Sequence, residues 1–150
     1  MITITRVRPA AVELAQATFA MMGVAFEDPP ADPPDAAYVA TLLARDDLWV
    51  YAAVVDVAPV GGLTAFVLPL TRTAGSEVLV YDVAVHADQQ RRGVGRALLE
   101  RVRADAAEAG IAELWVPADD EDTHALDFYR RTGGRAQAVT IFTYATATDA

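Results

Sequence analysis

The chain has 150 residues, no cysteine and a net charge of −9; that is length enough for one domain, 1–150, with a buried core, and it leaves no material for disulfides, thiolate metal sites or a cysteine nucleophile. The acidic balance argues against nucleic acid, which demands a basic footprint, and favours a cationic partner. No apolar run approaches the length that spans a membrane. The opening residues, MITITRVRPA, lack the apolar core of a signal peptide, so a cytoplasmic protein with no membrane partner is expected.

Residues 2–7 alternate and predict a first strand. Pro9 suits a helix start, and 11–22 carries Val12, Leu14, Ala15, Phe19 and Met22 at helical spacing. Residues 23–34 break regular structure with Pro29, Pro30, Pro33 and Pro34, and bring Glu27, Asp28 and Asp32 into the same loop. Asp35 is placed to cap a short helix running to about Ala44. Strands are predicted over 48–55 and 60–68, joined by a tight turn at 56–59. A third long strand, 77–85, is apolar on both faces and therefore expected at a central position. The securest helix runs over 94–109, with Val94, Leu98, Val102, Ala106 and Ala109 on one face and Gly110 as its stop. A strand over 111–116, a short helix over 123–131 ended by Gly133 and Gly134, and an alternating strand over 137–146 complete the order β-α-α-β-β-β-α-β-α-β.

The junction between the third long strand and the securest helix is the most informative stretch, YDVAVHADQQRRGVGRALL. Gly93 and Gly95 stand where a helix begins, so backbone N–H groups can approach a ligand closely, and Arg91, Arg92 and Arg96 add positive charge. Strand, arginine-glycine loop and helix make a site for a pyrophosphate. The dinucleotide fingerprint G-x-G-x-x-G fails because position 98 is Leu98, and the Walker pattern fails because the chain has no lysine. Charge is distributed to match. Arg91, Arg92, Arg96, Arg101 and Arg103 cluster against Asp88 and Glu100, whereas Asp119, Asp120, Glu121, Asp122 and Asp127 stand together without an arginine. One region suits an anion and the other a cation.

Gln90, Gly93 and Gly95 fill the fixed positions of the pattern Gln/Arg-x-x-Gly-x-Gly/Ala, and the segment resembles the acetyl-CoA loop of the GCN5-related N-acetyltransferases (GNAT). The resemblance covers nearly the whole element order. It implies an α/β (α+β) fold, a mixed, strongly twisted central sheet flanked by helices, in which the third long strand and the next one splay apart around the coenzyme. YDVAV before the loop, FVLP in the preceding strand, the acid run and FYRRTGG resemble more narrowly the type I aminoglycoside 3-N-acetyltransferases. That likeness implies acetyl-CoA as co-substrate, no metal, and a cationic aminoglycoside as acceptor. It transfers coenzyme contacts to Val83, Ala84 and Val85 and to Gln90, Arg91, Arg92, Gly93, Val94, Gly95, Arg96 and Ala97. The run ADDEDTHALDFY departs from the group after its first aspartate and at His124, and Phe128 stands where the group is aliphatic. Family members are often dimers, and the strand over 137–146 is one that can pair across a homodimer interface.

Amide formation from a thioester needs a group that takes the amine proton and an acid near the sulfur. Asp82 interrupts an otherwise apolar strand, where an unpaired buried charge costs several kcal/mol. Either an arginine pairs with it across the sheet, or it stands at an exposed strand edge, or it binds and deprotonates the substrate ammonium; its place on the strand expected to hold the coenzyme favours the last. Tyr129 resembles the family's tyrosine aimed at the coenzyme sulfur, against the alternative of a packed core aromatic. Asp119, Asp120 and Asp122, with Glu27 and Asp28, would form a cation-binding rim, and Asp122 or Thr123 would also cap the next helix. Glu121, His124 and His86 receive no role. Two alternatives share the coenzyme loop: an acetyltransferase for another polyamine or a protein amine, and a non-catalytic acyl-CoA-binding sensor.

Overall fold

The computed structural model describes residues 1–147. They fall into two compact units, Met1–Pro117 and Ala118–Ala150.

The first unit is a five-stranded sheet in the order β1 (Thr3–Arg6), β2 (Leu48–Val55), β3 (Ala58–Pro69), β4 (Ser76–Val85), β5 (Leu114–Trp115). Pairing is antiparallel from β1 to β4 and parallel between β4 and β5. Two helices, α1 (Val12–Ala25) and α2 (Ala36–Leu43), precede β2, and α3 (Val94–Glu108) follows β4. Asp35 caps α2 by accepting from the Tyr38 amide at 2.8 Å. Gly110, at φ 77°, ends α3, as its position predicts. The helix α1 starts three residues beyond Pro9, after a turn in which the Ala11 amide donates to the Arg8 carbonyl.

Adjacent glycines on β3 let helices close on both faces. A Cβ on Gly61 would meet Val94 Cγ1 of α3 at 2.7 Å, and one on Gly62 would meet Met22 Sδ of α1 at 2.6 Å. Consecutive strand residues point to opposite faces, so α1 and α3 cover opposite sides of the sheet. On the α1 side Val7, Ala15, Val39, Leu43, Leu48, Val50 and Ala52 form one buried cluster. On the α3 side the fully buried Tyr51 donates its hydroxyl to Asp105 at 2.7 Å, and Arg101 joins Asp105 and reaches the Ile4 carbonyl. Val94, Leu98, Val102 and Ala106 are buried as the spacing predicts, Leu99 joins them, and Ala109 is exposed.

The second unit holds α4 (Thr123–Arg131). Asp122 caps it by accepting from the Ala125 amide at 3.0 Å. Two expected strands differ from the sequence reading. The strand over 111–116 is reduced to Leu114–Trp115, and 137–146 forms no strand: residues 135–147 make no backbone hydrogen bond among the described residues. A β-type pattern becomes a strand only where another strand supplies the ladder, and no strand supplies one to 135–147 here. Among the described residues no helix is long and apolar enough to cross a membrane.

Candidate acetyl-transfer site

The strand β4 pairs with β3 along its whole length but with β5 only at Val78 and Leu79. Residues 80–85 therefore have one backbone edge without a strand partner. The His86 amide donates to the Val60 carbonyl of β3, so by strand alternation Ala84 also faces β3 while Val83 and Val85 face the open edge; the backbone groups of Val83 and the N–H of Val85 are the natural partners of an extended amide-bearing ligand laid alongside.

Beyond Val85 the chain makes a single 3-10 turn, Ala87–Gln89, in which His86 Nδ1 accepts from the Asp88 amide at 3.1 Å. Gln90 folds back and donates Nε2 to the Val85 carbonyl at 3.3 Å, so the loop is tied to the strand it leaves. Arg91 (φ 63°) and Gly93 (φ 81°) both take the left-handed conformation, which turns the backbone sharply into α3. Gly93 is the residue before the helix, and no side chain caps that end. The first amides of a 15-residue helix are thus left for a ligand. Arg91 and Arg92 are exposed and have no carboxylate partner among the described residues. Arg96 lies 3.8 Å from Glu100, one turn on. An open strand edge, an uncapped helix start and two unengaged guanidinium groups fit a long ligand with an amide arm and a pyrophosphate.

On the α1 side of β4 lies a cavity of about 310 Å³. A bulge shapes it: Thr64 pairs with Asp82 but Ala65 pairs with Val80, so Tyr81 is the extra residue. Consecutive residues of a regular strand face opposite ways; here Tyr81 and Asp82 both line the cavity. Tyr81 meets Phe66 edge to face at 5.7 Å. Phe19, Phe26 and Tyr38 supply further aromatic wall, and Asp28 is the second carboxylate. Asp82 is half-buried and makes no ion pair or hydrogen bond among the described residues, so the cross-sheet arginine does not exist. Burial, and then the Asp28 carboxylate, hold its carboxyl above the usual carboxylate value. A raised, unpaired carboxylate in an aromatic-walled cavity is suited to receive an ammonium group and its proton.

Glu27, at φ 58°, lines a smaller cavity of about 160 Å³ with Val85, His86 and Gln90, apart from the cavity that Asp28 and Asp82 share. Asp119, Asp120 and Asp122 belong to the second unit. There Asp119 accepts from the Glu121 amide at 2.9 Å and Asp122 caps α4, while Asp120 is exposed. Tyr129 is half-buried on α4, its ring 5.1 Å from that of Phe128, and its carbonyl accepts from the Gly134 amide at 2.8 Å. His124 is exposed in the first turn of α4. Among the described residues no cluster of His, Asp and Glu is arranged to hold a metal ion.

Sequence reasoning missed the aromatic lining. Phe66 and Tyr81 lie within the quoted motifs FVLP and YDVAV, and Phe19 stands at helical spacing on α1, with nothing in those patterns to mark a cavity wall. Tyr38 and Phe26 carried one faint signal, large aromatics beside the proline-rich loop.

Comparison with known proteins agrees with this geometry. Residues 11–134 match the model of the Acetyltransferase (GNAT) family. An aminoglycoside acetyltransferase from an uncultured soil metagenomic sample, solved with trehalose, superimposes with a TM-score of 0.92 at 29% identity, over 98% of this chain and 97% of that one. The same protein has been solved with sisomicin, at 28% identity to this chain and the same coverage and TM-score. A second soil metagenomic aminoglycoside acetyltransferase gives 0.90 at 30% identity, over 97% of this chain and 99% of that one. The [ribosomal protein bS18]-alanine N-acetyltransferase of Escherichia coli (strain K12) is 33% identical over 73 residues, 49% of this chain. The chain spans about half the length of the curated relatives it matches, 48% for that enzyme. Because the family model matches most of its length, the chain belongs to the acetyltransferase (GNAT) family.

Proposed function

We propose that this chain is one catalytic domain, 1–150, that transfers the acetyl group of acetyl-CoA to an aminoglycoside, at the 3-amino group of its deoxystreptamine ring. The observation that carries the reading is Asp82: unpaired, half-buried, held above its usual proton affinity, and sharing an aromatic-walled cavity with Asp28. A polyamine meets two carboxylates there, and the apolar faces of its rings meet Phe19, Phe66 and Tyr81. The soil relatives, one of them solved with sisomicin, support the same substrate class.

Enzymes of this family use acetyl-CoA, which supplies an activated thioester carbonyl. Val83 and Val85 hold its amide arm by backbone hydrogen bonds, with Ala84 between them lining the same stretch of strand. Gln90, Arg91, Arg92, Gly93, Val94, Gly95, Arg96 and Ala97 hold its pyrophosphate. Asp82 binds the acceptor ammonium and takes its proton as the nitrogen attacks. The C–N bond forms, the C–S bond breaks, the Tyr129 hydroxyl gives its proton to the departing sulfur, and the second proton that the nitrogen loses on becoming an amide restores that hydroxyl. Asp119, Asp120 and Asp122 attract the remaining ammonium groups of the acceptor. Acetylation removes one positive charge from the antibiotic, which weakens its grip on RNA and gives resistance; with acetyl-CoA as donor, the cytoplasm is the compartment of action.

The local match to the bS18-alanine enzyme favours a protein N-terminal amine as the second reading. A thiol-release assay with gentamicin, sisomicin, spermidine and an alanine-initiated peptide, with mass spectrometry and NMR of the product, separates the two. Acetylated gentamicin bearing its new group at the 3-amino position is expected. Robust turnover of the peptide with none of either antibiotic overturns the proposal. Asp82→Asn should lower kcat/KM about 10²–10⁴-fold, the usual contribution of a positioned base, and Tyr129→Phe should lower kcat. If both variants act as wild type, the assigned roles are wrong.

A further inference from the structure

We propose that Phe26 and Tyr38 form a sugar-ring subsite at the mouth of the Asp82 cavity, which holds a pyranose ring of the acceptor by its uncharged face. The proposal rests on the aminoglycoside reading above and extends it outward, from the ring that is acetylated to a ring attached to it.

The aromatic lining of the cavity has two zones. Phe19 and Phe66 are half-buried, as is Asp82. Phe26 and Tyr38 line the same cavity but are 46% and 55% exposed, and the Tyr38 hydroxyl makes no hydrogen bond among the described residues. A single exposed aromatic is ordinary. Two in one cavity lining, beside the carboxylates of Asp28 and Asp82, mark a ligand surface.

Both rings stand on fixed backbone. At the end of α1 the Glu27 amide donates to the Val24 carbonyl and the Asp28 amide to the Gly23 carbonyl, each at 3.0 Å. This cap needs a left-handed residue, which is usually glycine; here it is Glu27, at φ 58°. The strained residue stands between Phe26 and Asp28, and both of these line the cavity. Tyr38 lies in the first turn of α2, and its own amide is the one that Asp35 caps at 2.8 Å. The two aromatics are thus carried by capped helix ends on either side of the proline-rich stretch 29–34, so little order has to be gained on binding.

The chemistry of the lining selects the ligand. A pyranose ring carries C–H groups on its faces and hydroxyl or ammonium groups at its rim. Aromatic side chains receive the faces, and the two carboxylates receive ammonium groups at the rim. A linear polyamine has charges for the carboxylates but no face for the rings. A hydrocarbon chain would cover the rings and leave the carboxylates desolvated and unpaired. An amine-bearing ring satisfies both.

The test joins kinetics to sugar binding. Phe26→Ala and Tyr38→Ala together should raise KM for gentamicin about 10-fold and leave KM for acetyl-CoA unchanged, which also shows that the variant folds. Tyr38→Phe should keep the wild-type KM for gentamicin and Tyr38→Leu should raise it; this pair decides the matter should the double variant fail to fold. Maltose, which has sugar rings and no charge, gives an arm that needs no acetyl transfer. Saturation-transfer NMR should show its ring C–H protons receiving magnetisation from the wild-type protein and not from Tyr38→Leu or the double variant. Equal KM for gentamicin in wild type and variants, or no transfer to maltose from the wild type, overturns the subsite. If the wild type acetylates the alanine-initiated peptide and no antibiotic, the aminoglycoside reading fails, and the maltose arm alone decides whether the subsite exists.

Discussion

Val57 and Asp82 are each held in a state their side chains resist, for different reasons. Asp56 and Val57 form the tight turn between β2 and β3 at φ 47° and 65°. Positive φ at both central positions is the hairpin turn that matches strand twist, and it favours Asn or Gly. A β-branched valine there is strained, and Val57 is fully exposed, so it recovers nothing by packing. Val57→Gly should raise unfolding free energy by about 1 kcal/mol, the lower end of the cost of such a conformation, read as a higher urea midpoint at unchanged slope. Asp82, the proposed base, is the counterpart. Its carboxyl lies above the usual value through burial and then Asp28, so the folded state binds a proton that the unfolded state releases. Stability from this group is present below the ordinary carboxylate pKa and is lost as pH rises through the raised value. Asp82→Asn should therefore raise Tm at pH 7 and leave it unchanged at pH 3, while activity falls. Thermal scans at the two pH values check this; an equal gain at both would mean that charge is not what destabilises the site.

The glycine pair on β3 shows how a strand serves two helices and, through one of them, the cavity. Gly62 has no room for a side chain: its Cβ would lie 2.6 Å from Met22 Sδ and 2.7 Å from Cγ2 of the buried Thr18. Met22 and Phe19 on α1 also line the cavity of Asp82. Gly62→Val should cost about 1–3 kcal/mol, as overpacking does, and should raise KM for the acceptor more than KM for acetyl-CoA; denaturation and steady-state kinetics read the two effects separately. Elements governed by local chemistry were legible in the sequence. The stop at Gly110, the caps at Asp35 and Asp122, the start of α3 at Val94 and the arginine-glycine loop each follow from residues within a few positions of one another. What was not legible depends on partners distant in sequence. The bulge at Tyr81 exists because β3 and β4 differ in count by one residue, and no feature of YDVAV announces it. The aromatic wall is assembled from α1, the loop after it, α2, β3 and β4. The strand expected over 137–146 carried the right pattern, but a pattern does not supply its own ladder.

At the scale of the whole molecule, charge is the property that most directly links composition to substrate. A chain at −9 that receives the anionic acetyl-CoA, as proposed, needs local relief, and Arg91 and Arg92, exposed and free of carboxylate partners among the described residues, are the groups proposed to provide it at the start of α3. A polycationic acceptor needs no such relief, since the general field of the protein already draws it in. The two substrates should therefore respond to salt in distinct ways. Screening shortens the reach of charge from about 10 Å at 0.1 M to about 3 Å at 1 M. Attraction summed over a whole surface suffers most from that change, while contacts in a loop at hydrogen-bond range suffer least. Raising ionic strength should accordingly lower kcat/KM for gentamicin severalfold and lower kcat/KM for acetyl-CoA much less. Steady-state kinetics over a sodium chloride series, with a monoamine acceptor as reference, decide the matter. If gentamicin and the monoamine decline in parallel, the acidic surface does not steer the acceptor, and its recognition rests on the Asp28–Asp82 cavity alone.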